Sequence, residues 1–125
     1  MMLLSPFSLA RQVDLAFWEL KDELCQIRSG TITIQVRDNV IGKFGVKHLP
    51  MESRDGRLEH HDEKGLSEAQ FISLKSMAID SLKYKKNWTH GEIAFDFTIR
   101  NNVLFASVQF ESNYNMANLT KSKSV

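Results

Sequence analysis

The chain has 125 residues, of which 42% are hydrophobic and 25% charged, the composition of one ordinary globular domain. The formal net charge is only +1, so no overall field favours nucleic acid or an anionic membrane as a partner. A single cysteine, Cys25, excludes an internal disulfide and fits a reducing compartment. The apolar start MMLLSPFSLA has no basic segment and is interrupted by Pro6, so no signal peptide is expected and the predicted location is cytoplasmic.

The first predicted element is an amphipathic helix over residues 6–28, which Ser5 and Pro6 begin and Gly30 ends. Three large apolar residues fall off its main stripe: Phe7, Leu15 and Trp18. They indicate either a wider buried face or an interface, and we expect most of them in the core. The stripe itself recurs with helical spacing at Leu9, Val13, Ala16, Phe17, Leu20, Leu24 and Ile27.

Residues 31–37 and 41–48 alternate as the two strands of a hairpin. A two-residue loop at 38–39 would set Ile34 opposite Lys43, whereas an odd-length loop that includes Val40 sets Ile34 opposite Phe44. Because only the second register joins two apolar side chains, we expect the odd loop. The side chains predicted to point inward are Ile32, Ile34, Val36, Phe44 and Val46.

A polar stretch over residues 50–65 is predicted to be a flexible charged loop, although Asp55-Gly56 leaves an extra short hairpin open. Ser67 and Gln70 then form a capping box that begins a second helix. The predicted buried stripe of this helix contains Phe71, Leu74, Met77, Ala78 and Leu82.

The segment from Gly91 to Glu111 carries the clearest pattern, a hairpin folded about the turn residues Asn101-Asn102. Only one register makes one of its faces wholly apolar. That register pairs Ile99 with Leu104, Phe97 with Ala106, Phe95 with Val108 and Ile93 with Phe110. Residues 115–125 are predicted to be a disordered tail.

The order of elements is therefore helix, hairpin, helix, hairpin, which places the chain in the α+β class as αββαββ. A four-stranded antiparallel sheet with both helices packed on one face buries every apolar stripe. This single domain is expected to span residues 1–114.

The search for catalytic chemistry finds no phosphate loop, nucleophile elbow or spaced zinc motif, and no cofactor is expected. The weak metal candidates are His60 and His61, with which His48 and His90 would have to converge. Adjacent histidines in a charged loop are more typical of a solvated segment than of a rigid site. The thiol of Cys25 is not expected to be a nucleophile, because it lies within a helix and not at a helix N-terminus.

The outer face of the sheet carries the candidates for partner binding. Glu92 and Glu111 are directly opposed there, a like-charge pair typical of solvated strand ends, of an acid/base pair or of a site for a basic partner. Lysines at the end of the second helix suit the helix dipole and are the candidates for nucleic-acid binding, Lys83, Lys85 and Lys86. The candidates for protein binding are Glu92, Asp96, Phe105, Gln109, Glu111, Trp88 and Tyr114.

The closing region contains Trp88-Thr89, an aromatic strand at Phe95 and Phe97, the turn at Asn101-Asn102, and Phe110-Glu111 before Tyr114. With these residues and this order of elements, the chain resembles the YezG-like family of bacterial immunity proteins. The likeness covers about 30 residues of the closing region in addition to topology. The resemblance implies a small protein that neutralises a toxin by binding it.

The predicted function is a non-enzymatic protein-binding module, a bacterial or phage-encoded immunity or regulatory protein that masks another protein. Two alternatives remain open. One is a nucleic-acid-binding regulator that uses the lysines at 83–86, and the other is a small enzyme or metal-binding protein that uses the loop histidines.

Overall fold

Two helices lie on one face of a four-stranded antiparallel sheet in this computed structural model, which describes residues 7–59 and 64–123. The predicted α+β class and its order of elements are confirmed, with small additions. The helices are α1 (Leu9–Leu24), α2 (Glu68–Ser81) and α3 (Met116–Lys123), with a 3₁₀ turn at Leu82–Tyr84. The strands are β1 (Ser29–Arg37), β2 (Val40–His48), β3 (Ser53–Arg54), β4 (Arg57–Leu58), β5 (His90–Arg100) and β6 (Val103–Ser112).

The sheet has the strand order β2-β1-β5-β6, so the two long hairpins lie side by side and β1 and β5 form its centre. Asn101 and Asn102 make the predicted two-residue turn with φ of 52° and 62°, a conformation that asparagine tolerates better than most residues. All four predicted cross-strand pairs of this hairpin are confirmed.

The first hairpin has its predicted register, but its predicted loop is wrong. The turn consists of two residues, 38 and 39, and Val40 already belongs to β2. A β-bulge between Ile34 and Val36 supplies the extra residue, so that Ile34 still lies opposite Phe44. The apolar pairing is thus preserved by an irregularity within the strands and not within the loop.

Helix α1 is shorter than the predicted range of 6–28. The side chain of Ser8 accepts a hydrogen bond from the Arg11 N–H and caps the helix, which ends at Cys25. Gly30 lies in β1, where an added Cβ would come within 2.9 Å of the Lys47 carbonyl oxygen. This glycine therefore serves close strand packing and not helix termination, whereas Ser5 and Pro6 lie outside the described residues.

The prediction that most off-stripe residues of α1 are core is wrong. Phe7, Leu15 and Trp18 have exposed fractions of 47%, 42% and 43%. The narrow stripe of α1 faces the sheet, and α2 packs beside α1. The contact with α2 covers only part of Trp18, whose ring centroid lies 5.2 Å from that of Phe71. Val13, Ala16, Phe17 and Leu24 are buried as predicted.

Helix α2 begins as predicted, because the side chains of Ser67 and Gln70 form both hydrogen bonds of the capping box. Phe71, Leu74 and Ala78 are buried, and Met77 and Leu82 pack against the core from its margin. Aromatic contacts join the layers: the Phe17 centroid lies 6.5 Å from Phe71 and 5.7 Å from Phe95 on the sheet.

Two peripheral segments differ from the simplest prediction. Within 50–65, β3 and β4 form the extra hairpin about Asp55-Gly56, as a separate two-stranded sheet and not as a fifth strand. The tail, expected to be disordered over 115–125, contains α3, whose first turn is capped by the Asn115 side chain accepting from the Ala117 N–H. No helix in 7–59 or 64–123 is long and apolar enough to cross a membrane.

Candidate binding surface on the open sheet face

The side of the sheet away from α1 and α2, here called the outer face, carries the predicted partner-binding residues of the closing hairpin. Asp96, Phe105, Gln109 and Glu111 are exposed, and Glu92 is partly exposed. Pairing within the sheet puts Asp96 beside Thr31 of β1 and Ser107 of β6. The outer face therefore brings together residues from three strands, including the sequence candidates other than Trp88 and Tyr114.

A groove of about 310 Å³ crosses this face near one end of the strands. Leu49, which follows β2 and is 60% exposed, and Phe105 of β6 supply its large apolar side chains. Its polar lining is made of small hydroxyls and one carboxylate: Ser29, Thr31, Asp96, Thr98 and Ser107. An apolar groove with a few polar groups is a recurrent form of recognition site in proteins.

The polar lining of the groove is ordered by cross-strand hydrogen bonds. The Thr31 hydroxyl donates to one carboxylate oxygen of Asp96, and the hydroxyls of Ser29 and Thr98 share a hydrogen bond of 2.8 Å. Asp96 is exposed, and its contact with Thr31 occupies only one of its oxygens. The carboxylate is thus held in place while it retains acceptor capacity for a ligand.

Phe105 is 46% exposed, and the guanidinium carbon of Arg100 lies 4.4 Å from its ring centroid. This cation–π contact holds the ring against the sheet and contributes about 0.5–1 kcal/mol at an exposed site. The aromatic side chain is therefore preorganised, so it loses little further conformational entropy when a partner covers it.

At the other end of the same face, Glu92 of β5 pairs directly with Glu111 of β6, as the sequence predicted. Among the residues that the structure describes, neither carboxylate has a salt bridge or hydrogen bond. A cavity of about 430 Å³ lies beside them and is also lined by Lys43 and His90. The two carboxylates repel each other across the strand pair, and the cationic side chains of Arg37 and Lys43, which line the same cavity, offset part of their charge.

Trp88 was a candidate for partner binding, but its side chain is buried, with 2% exposed. Its ring makes an edge contact with Phe110 at 5.7 Å and covers Gly91, where an added Cβ would lie 2.4 Å from the indole. Trp88 is therefore a core residue and is not available to a partner. Tyr114, beyond the end of β6, is 87% exposed.

Two of the three lysines proposed for nucleic-acid binding, Lys83 and Lys85, have local partners. The Lys83 ammonium lies 3.2 Å from an oxygen of Asp80, and the Lys85 ammonium lies 4.6 Å from the centroid of the Trp88 ring. Because that ring is buried, it offers no platform on which a base can stack. Lys86 is exposed. Nucleic-acid binding by these lysines stays a prediction.

The metal candidates His60 and His61 lie outside the described residues. Within the described parts of the chain, no group of three or more metal-ligating side chains is present. His48 interacts instead with a carboxylate oxygen of Glu23, at 2.5 Å from its Nε2. Burial raises the pKa of the Cys25 thiol, which leaves less of the reactive thiolate at neutral pH.

The groove residues that were not among the sequence candidates include Ser29 and Thr31 of β1, and Leu49, which follows β2. The alternation of 29–37 places Ser29 and Thr31 on the outer face, so this signal was available. Nothing local marks Leu49, because it follows the strand and its position depends on how β2 leaves the sheet.

Comparison of the chain with protein-family models, with curated proteins and with solved structures gives no significant match.

Proposed function

We propose that this protein is a non-enzymatic module that binds another protein through the outer face of its sheet. The observation that carries the proposal is the groove between Leu49 and Phe105, with its hydrogen-bonded polar lining. Interface centres are commonly formed by an aromatic anchor surrounded by polar groups. Phe105, held by Arg100, is such an anchor.

The chemistry of the face indicates the chemistry of the partner. The groove accepts an apolar side chain between Leu49 and Phe105, and Asp96 accepts a hydrogen bond or an ion pair from a donor next to it. Glu92 and Glu111, farther along β5 and β6, favour a basic group. The partner surface we propose is therefore an apolar side chain flanked by basic ones.

The finer role we propose is that of a bacterial or phage-encoded immunity or regulatory protein, which acts in the cytoplasm by masking its partner. This role is supported by the resemblance to the YezG-like family in the closing region. Asp96, Glu92 and Glu111 near Phe105 suit the masking of an apolar side chain flanked by basic ones, because opposite charges attract the partner and orient it.

The test is affinity purification of the tagged protein from the cells that express it, followed by reconstitution with each purified candidate partner. Phe105→Ala and Asp96→Lys are compared with two matched controls on α1. Leu15→Ala removes an apolar side chain of similar exposure, and Glu19→Lys makes the same change of charge at an exposed site. A genuine partner loses at least about tenfold in affinity with each outer-face variant, the effect of one hot-spot contact, and is unaffected by the controls.

Retention of full affinity by both outer-face variants would refute the assignment of this face. If the captured ligand is instead nucleic acid, its binding should weaken steeply with salt and on Lys86→Glu substitution. That result would replace the protein-binding proposal with the alternative function.

A further inference from the structure

Strand β6 forms one edge of the sheet, with β5 on one side only. The Asn113 N–H donates to the His90 carbonyl oxygen, which places the hydrogen bonds to β5 on the odd-numbered residues of β6. The N–H and C=O groups of the even-numbered residues therefore point away from β5. These residues are Leu104, Ala106, Val108 and Phe110, and no segment in 7–59 or 64–123 pairs with them.

The two edges of the sheet differ in their protection against pairing. Edge strand β2 is interrupted by the bulge and carries Lys43 and Lys47, features that discourage the addition of another strand. Edge strand β6, with the sequence VLFASVQFES, has no lysine, proline, glycine or bulge. An edge of this kind is a template for a further strand.

We propose that β6 pairs antiparallel with β6 of a second copy of this chain, joining the two sheets into one continuous sheet about a twofold axis. The outward-pointing backbone groups belong to even-numbered residues, so even-numbered residues of one copy face even-numbered residues of the other. The same parity puts the apolar side chains Leu104, Val108 and Phe110 of both copies on the helix-covered face. Backbone pairing and side-chain orientation are therefore both satisfied by the registers in which even-numbered residues face even-numbered residues.

Charge complementarity selects a second copy as the occupant. Arg100 and Glu111 lie at opposite ends of the hairpin, and neither has an ion pair with any described residue. In the register where Val108 faces itself, Glu111 of one copy lies opposite Phe105 of the other, beneath the stacked Arg100. In the register where Ser107 faces itself, Glu111 lies opposite Val103, the strand neighbour of Arg100. Arg100 lies on β5, two strand spacings or about 10 Å from β6 of the second copy, a distance that the long Arg and Glu side chains span together, twice by symmetry.

The partly buried apolar residues at the edge of the core also favour pairing with a second β6. Leu104, Val108 and Phe110 are only partly buried, although each faces the helix side of the sheet. A second β6 would cover them with identical side chains. Each chain has one such edge, and the β2 edge is protected, so pairing closes at a dimer and does not continue into a fibre. This inference goes beyond the proposed function and does not depend on it.

The first test is sedimentation of the full chain over a concentration series up to about 1 mM, which covers weak association. A monomer–dimer equilibrium is expected. Arg100→Glu and Glu111→Arg should each weaken it by roughly tenfold, since each replaces two attractive pairs with two repulsive ones. The double variant should restore the dimer, and Lys43→Glu on the opposite edge should leave it unchanged. A chain that is monomeric throughout, or a dimer indifferent to both single changes, overturns the proposal.

The second test is amide hydrogen exchange of β6 at low and high concentration, which remains informative if a charge variant fails to fold. The amides of Phe105, Ser107 and Gln109 should be protected at every concentration, because they bond to β5. The amides of Ala106, Val108 and Phe110 should become protected only as the dimer forms. Exchange of these even-numbered amides that is independent of concentration contradicts pairing through this edge.

Discussion

The two faces of the β5–β6 hairpin arise from one alternating sequence and have opposite roles. Phe95 on the inner face is fully buried and packs against Phe17, whereas Phe105 on the outer face is 46% exposed and stacks with Arg100. Two identical side chains thus differ in burial because they lie on opposite faces of the sheet, so the face, and not the residue type, indicates which of them belongs to the core. Inner-face residues form the core, and outer-face residues of the hairpin remain accessible.

The largest expected effect is on the inner face. Phe95→Ala should lower the free energy of unfolding by about 3–5 kcal/mol, because it removes a fully buried ring and leaves a cavity beneath α1. Urea denaturation followed by circular dichroism measures the change. A loss below about 1 kcal/mol would mean that the inner face of the hairpin is not part of the core.

Two glycines extend the comparison to positions without a side chain. An added Cβ at Gly91 would lie 2.2 Å from the Glu111 carbonyl oxygen and 2.4 Å from the Trp88 ring, whereas one at Gly45 meets no atom within 4 Å. Gly91→Ala should therefore destabilise the fold by about 1–3 kcal/mol or more through overpacking. Gly45→Ala is the matched control and should be neutral or slightly stabilising in the same denaturation assay. Equal effects of the two substitutions would contradict the packing of Trp88 over Gly91.

The outer-face counterpart of Phe95→Ala is Phe105→Ala. Its expected cost to the free energy of unfolding is about 1 kcal/mol or less, because a half-exposed ring and one cation–π contact are lost without a cavity. Parallel urea titrations of the two alanine variants compare the faces directly. Similar losses would show that Phe105 is structural and would weaken its assignment to binding.

The smallest expected effect concerns the opposed carboxylates. Glu111→Gln should stabilise the fold by a few tenths of a kcal/mol at low salt, because it removes repulsion from Glu92 across the strand pair. The gain should shrink as the salt concentration rises, since exposed charges are screened. Glu19→Gln on α1 is the control, with no change expected. A destabilising effect of Glu111→Gln would indicate a favourable partner for this carboxylate within the chain.

Much of the fold follows from local chemistry that the sequence displays. The turn at Asn101-Asn102, the capping box at Ser67 and the alternation of the closing hairpin each depend on neighbouring residues, and the structure confirms all of them. The loop of the first hairpin could not be predicted in this way. Apolar matching correctly paired Ile34 with Phe44, but the same register can be reached through a longer loop or a bulge, and periodicity does not distinguish the two.

The remaining errors depend on tertiary placement. Trp18 and Trp88 are equally hydrophobic, yet α2 covers only one edge of Trp18 while the β5–β6 hairpin encloses Trp88. No local pattern indicates which of them is buried. Likewise, Leu49 joins the groove because it follows β2, beside β1, and lies near residues of β5 and β6 that are distant in sequence. The closing-hairpin residues of the candidate surface were therefore predictable, and the alternation of β1 also indicates Ser29 and Thr31, whereas the position of Leu49 was not predictable from local sequence.

We propose that the outer face binds a protein, whereas the inner face forms the core of the fold. Calorimetric titration of the reconstituted partner with Phe105→Ala and with Leu15→Ala tests it most directly, since the two side chains have similar exposure on opposite sides of the molecule. The account predicts a loss of affinity of at least about tenfold for Phe105→Ala and none for Leu15→Ala. Unchanged affinity for Phe105→Ala, or an equal loss for both variants, would contradict it.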